Sequence, residues 1–119
     1  MVTLKRRHLD RTVELLDRTV ANKKVIGYTF GAANTDETVL SPASDNTLCV
    51  VHLIVGVASG LTSPTLTLKD GTTEIGTWPL TSSEAETILS SSFILPWNGD
   101  LVAQVSSTGI EVSVWAVEI

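Results

Sequence analysis

Cys49 and His52 are the one thiol–imidazole pair close together in the sequence, and such a pair is the minimum for a nucleophile–base dyad. On a regular strand, residues three apart point to opposite faces, so the two are not expected to meet. Cys49 reads as a small core residue and His52 as a residue of the other face, suited to a subunit contact. A metal site needs three or four ligands, and the second histidine, His8, lies far away near the N-terminus. Glu84 and Glu86 sit in a Ser-rich turn, where solvation accounts for them. Asp36-Glu37 and Asp45-Asn46 are too loosely placed for a calcium loop. The chain holds no Gly-x-Ser-x-Gly elbow and no phosphate-binding Gly-rich loop. No catalytic residue, metal or cofactor is expected, and the chain does not read as an enzyme.

Three tryptophans, Trp78, Trp97 and Trp115, could form a sugar platform. Trp97, between Pro96 and Asn98-Gly99, is the best placed, on a turn. Buried or interfacial tryptophan is commoner, so Trp97 and Trp115 are the candidate interface or ligand aromatics.

Charge is divided along the chain. Seven of the eight bases lie in the first 24 residues, which carry three acids; residues 25–119 keep one base, Lys69, against ten acids. The two parts therefore hold +4 and −9, summing to the formal −5. Lys5, Arg6, Arg7, Arg11 and Arg18 form a basic docking set. Nucleic acid is not the expected partner: the basic segment has no aromatic residue, its acids interrupt its bases, and the −9 body repels a polyanion. An acidic protein surface fits better, and docking on it should weaken as salt rises.

A hydrophobic fraction of 43% and a mean hydropathy of +0.26 exclude disorder for the body. One cysteine allows no internal disulfide. The longest apolar run, Leu48 to Val57, is about half the ~20 residues of a membrane helix, so no membrane partner is expected. Charges recur through Arg18, leaving no room for a secretory h-region. Synthesis in the cytosol, and use in solution or in an assembly, is the expectation.

The elements that must position these residues fall into two regions. Residues 4–21 carry a helical stripe, Leu9, Val13, Leu16 and Val20, spaced 4, 3 and 4. Leu9-Asp10-Arg11-Thr12-Val13 recurs seven residues on as Leu16-Asp17-Arg18-Thr19-Val20. A seam of this kind packs on its own domain, on copies of itself, or on a partner protein. Residues 1–24 are thus expected to be a basic amphipathic helical arm and residues 25–119 a β-domain. In the body the period changes to two, and 25 of the 28 Ser and Thr residues alternate there with Val, Ile and Leu. Strands are expected near 25–31, 37–41, 47–57, 64–69, 73–80, 86–95, 100–106 and 110–118. Asp70-Gly71 marks a tight hairpin, and Asn98-Gly99 and Ser107-Thr108-Gly109 mark further turns. About eight short strands at this spacing predict a mainly β fold, an antiparallel β-sandwich. The last strand is apolar on both faces, so its outer side is expected to be covered.

From Cys49 to Ile119 the order of pieces resembles small structural proteins of tailed bacteriophages. The pieces are Val50-Val51-His52-Leu53-Ile54-Val55, then Leu66-Thr67-Leu68-Lys69-Asp70-Gly71-Thr72-Thr73, Pro79-Leu80, Leu95-Pro96-Trp97-Asn98 and the alternating Ile110 to Glu118. The resemblance implies a jelly-roll-like sandwich, often a homotrimer, that binds a virion as a decoration or cement protein or sits in a fibre. After Asn98 this chain passes almost at once to Gly99-Asp100-Leu101, where the family usually has a longer loop. The N-terminal heptads lie outside the matched region.

Taken together, these readings anticipate a capsid decoration or cement protein located in the virion. Its partners would be its own copies and the major capsid protein or another virion protein. The alternative is a receptor- or glycan-binding module of a tail fibre or tailspike, which would need an exposed Trp97.

Overall fold

The computed structural model describes residues 23–90 and 95–119. Among these residues it has nine strands and no helix: β1 (Lys23–Thr29), β2 (Glu37–Leu40), β3 (Leu48–Val57), β4 (Thr65–Asp70), β5 (Thr73–Pro79), β6 (Ala85–Leu89), β7 (Leu95–Trp97), β8 (Leu101–Val105) and β9 (Ile110–Glu118). The expected helix over residues 4–21, its seam (Leu9, Val13, Leu16, Val20) and the basic set (Lys5, Arg6, Arg7, Arg11, Arg18) lie outside the described residues.

All pairings are antiparallel and fall into two sheets. One runs β1-β9-β3-β6, with β7 also pairing β3; the other runs β2-β8-β4-β5. Their facing sides share a single core, an arrangement compatible with a β-sandwich. Period-two alternation builds that core: Ile110, Val112, Val114 and Ala116 of β9 are buried while Glu111 and Trp115 are exposed. The opposite sheet supplies Leu66, Leu68, Leu101, Ala103 and Val105, all 0% exposed. Each fully buried Leu or Val contributes roughly 1.5–3 kcal/mol through the surface it removes from water.

The stretch expected to be one strand over 86–95 is two. β6 pairs Leu53 to Gly56 of β3, and β7 pairs Leu48 to Val50, end to end along the same edge. Between the two contacts β3 carries a bulge, a register shift between Val50 and His52. A bulge bends its strand and interrupts the ladder, and the β6 and β7 contacts lie on either side of it.

The turns lock the sheets at their ends. Gly71, with φ 61°, makes the β4–β5 turn, a left-handed conformation that costs glycine little. The Asp70 carboxylate accepts from the backbone N–H of Asn98 at 3.0 Å and of Gly99 at 2.7 Å. The Gly71 N–H donates to the Asp100 carbonyl at 2.9 Å. Asn98-Gly99 is therefore not a hairpin turn; it carries the chain from β7 in one sheet to β8 in the other.

Candidate functional site

The bulge at Val51 decides which side chains reach the outer face of the first sheet. Cys49 lies opposite Val117, and His52 lies opposite Trp115. These β9 partners are two residues apart and so share a face. Cys49 and His52 consequently point the same way, although a regular strand would oppose them. The core positions of β3 show the same slip: Leu48, Val50, Leu53, Val55 and Val57 are buried, with a spacing of three between Val50 and Leu53. That irregular spacing is visible in the sequence, but the unbroken apolar run hides which residue is the extra one.

Three cross-strand rows make up the outer face. Val117 and Cys49 form the first, Val25, Trp115 and His52 the second, and Gly27, Ser113 and Ile54 the third. Val25 is 54% exposed and Trp115 37%. The His52 and Trp115 rings meet edge to face, with centroids 5.4 Å apart and planes at 73°, a favoured aromatic geometry. Sequence reasoning missed Val25, because the adjacent apolar pair Val25-Ile26 does not show which of the two faces outward.

Cys49 is half-buried rather than a core residue. Burial pushes its thiol pKa up, which disfavours the thiolate that a nucleophile needs. The shared face with His52 thus does not make an activated dyad. No group of three or more metal-ligating side chains occurs among the described residues.

Trp97 is in the core, 1% exposed, and its Nε1 donates to the Lys69 carbonyl at 2.8 Å. It is not a surface aromatic for an interface or a ligand. The turn that flanks it is exposed, but the ring turns inward to bridge β7 in one sheet and β4 in the other. Trp115 alone of the two candidate aromatics is presented to solvent.

Two carboxylates tie the ends of the first sheet to neighbouring segments. Glu118, 6% exposed, accepts from the Ala43 N–H, from Asn46 Nδ2 at 3.4 Å and from Lys24 Nζ at 3.3 Å. The Ala43 bond, with smaller help from Asn46 and Lys24, outweighs burial and holds its carboxyl below the ordinary carboxylate range. Glu37 is opposed by burial, yet bonds from the Gly31 N–H, the Tyr28 hydroxyl and the Ala32 N–H together lower its pKa. Reciprocally, the hydrogen bond to Glu37 raises that of Tyr28, with burial and the carboxylate charge acting the same way. Lys69, the lone base expected in the body, pairs with Asp36 at 2.9 Å. A shallow groove of about 350 Å³ lies at the Gly56–Glu111 end of the sheet, where the Thr29 hydroxyl donates to the Glu111 carboxylate at 3.4 Å.

No described protein family matches the sequence, and no curated protein is similar to it. Among solved structures, the chain is similar to a subunit of the disulfide-linked pili of Bacillus endospore appendages. The identity is 14% and the TM-score 0.51, with 82% of this chain and 83% of that chain covered. At that identity the likeness concerns the fold. No described helix is long and apolar enough to cross a membrane.

Proposed function

We propose that this protein is a structural subunit of a virion, a homo-oligomeric decoration or cement protein that works through protein–protein contacts. The observation that carries this reading is the outer face of the first sheet, where Val25, Trp115, His52 and Ile54 turn apolar and aromatic surface away from the core. Aromatic residues on an otherwise polar surface are characteristic of protein interfaces. The strand order also supports it. With β7 set aside, the orders β1-β9-β3-β6 and β2-β8-β4-β5 fit jelly-roll connectivity, an architecture found in capsid domains among others.

The pilus subunit with the similar fold belongs to another assembly, and its disulfide linkage does not transfer. This chain has one cysteine, and one thiol per subunit can join copies only in pairs. The glycan-binding alternative loses the exposed Trp97 on which it depended. Copurification tests the proposal. Tagged full-length protein should be recovered with virion shells or their major protein, and the association should weaken as salt rises if the basic segment contributes. Recovery free of any virion component would overturn it.

A further inference from the structure

We propose that β1 is the edge on which a second copy of this chain pairs, by antiparallel β-augmentation about a two-fold axis near Ile26. The inference rests on the reading of the protein as a self-associating subunit and names the surface involved.

The argument begins with which backbone groups are free. The Phe30 N–H donates to the Ile110 carbonyl, and β1 runs in unbroken register with β9 from Lys23–Val117 to Thr29–Glu111. In an antiparallel ladder, bonded and non-bonded pairs alternate. Residues 24, 26 and 28 therefore spend their N–H and C=O groups on β9. Those of Val25, Gly27 and Thr29 point away from the sheet, and no other described strand pairs β1.

Exposed edges are normally blunted by shortness, bulges, proline or charge. The other described edges are. β2 has four residues, a register shift and Glu37. β5 carries Glu74, faces a register shift and ends on Pro79. β6 has five residues, a register shift and Glu86, and β7 has three with Pro96 at its centre. β1 has seven residues, no proline and no shift, and its charges, Lys23 and Lys24, are confined to its first two positions, leaving Val25 to Thr29 uncharged.

Two features favour a second copy as the occupant. Among the described edges β1 carries no acid and two lysines, Lys23 and Lys24, so it is where two strongly acidic bodies repel each other least. Its relief is also self-complementary. Pairing about Ile26 sets Val25 opposite the partner's Gly27, and the reverse. Val25 projects at 54% exposure, while the Cβ position of Gly27 has no atom within 4 Å. The projecting side chain of each copy lies beside the notch of the other, and the two outer faces become one continuous surface.

Sedimentation velocity on the full-length chain and two variants tests this. Val25→Pro removes an N–H that β9 does not use, at an edge position where proline is tolerated. Gly27→Val fills the notch with a good strand former, and its Cβ has no atom of the monomer within 4 Å. Both should keep the wild-type circular dichroism and halve the particle mass, whatever joins the N-terminal segments. Wild-type mass with both folded variants would overturn the edge pairing and leave self-association standing. A wild-type chain that is monomeric at high micromolar concentration would overturn both.

Discussion

Trp97 Nε1 and the Lys69 carbonyl are joined by a 2.8 Å hydrogen bond between β7 of one sheet and β4 of the other. The bond meets β4 where its register with β5 shifts, between Leu68 and Lys69. Losing the donor leaves a part-buried carbonyl unpaired, at a cost of about 1–3 kcal/mol. Trp97→Phe should therefore lower stability by about that amount in urea unfolding. Trp97→Ala also leaves a cavity and should cost about 3–5 kcal/mol. Equal effects from the two variants would mean that the hydrogen bond contributes and the ring's volume does not.

Glu118 makes stability depend on acid. Its pKa is depressed by folding, chiefly by the Ala43 N–H, so the unfolded chain takes up the proton first. The contribution is complete above the ordinary carboxylate range and disappears as pH falls through it and below. Glu37 acts in the same direction. In denaturant titrations at descending pH, Glu118→Gln should lose less stability than wild type. Parallel profiles would remove Glu118 as a contributor.

Trp115 should matter more to association than to folding. Its ring is 37% exposed and touches His52 at its edge, so Trp115→Ser should cost about 1 kcal/mol of stability. If the outer face is the contact surface, the same change should weaken binding to partner or copy by at least about tenfold. Unchanged affinity would move the interface elsewhere.

Cys49 should be a sluggish thiol. Burial raises its pKa, so little thiolate is present at neutral pH. Maleimide labelling of the native chain should be slower than that of the unfolded chain, and should accelerate as pH rises. Native labelling as fast as the unfolded at pH 7 would contradict the buried setting.

Gly109 holds the β8–β9 turn at φ 87°, and a Cβ there would lie 3.2 Å from the Ala58 Cβ. Gly109→Ala should destabilise by more than about 1 kcal/mol, because both the conformation and the space oppose it. Thermal melting of the variant measures this; an unchanged midpoint would show that the turn relaxes freely.

Much of the strand pattern was legible because alternation, glycine turns and hydrophobic phase are local properties. β9 reads from its own residues, and Asp70-Gly71 marks its own turn. What escaped depends on neighbours. Val51 is a bulge because of how β3 meets β9, and that reversal put Cys49 and His52 on one face. β6 and β7 likewise meet β3 on either side of that irregularity. Trp97 looked exposed because its flanking residues are turn formers, whereas its ring is governed by a carbonyl 28 positions away in sequence. The surface character of Val25 is likewise invisible until β1 is known to be an edge.

The three indoles occupy three different media, which gives the protein a built-in optical readout. Trp97 is sealed from water, Trp78 is half-buried over Gly76, and Trp115 faces solvent. Blue-shifted emission that iodide cannot quench reports the integrity of the interior. The red, quenchable component reports whether the outer face is occupied. Melting and docking can thus be followed separately in one cuvette, without a label.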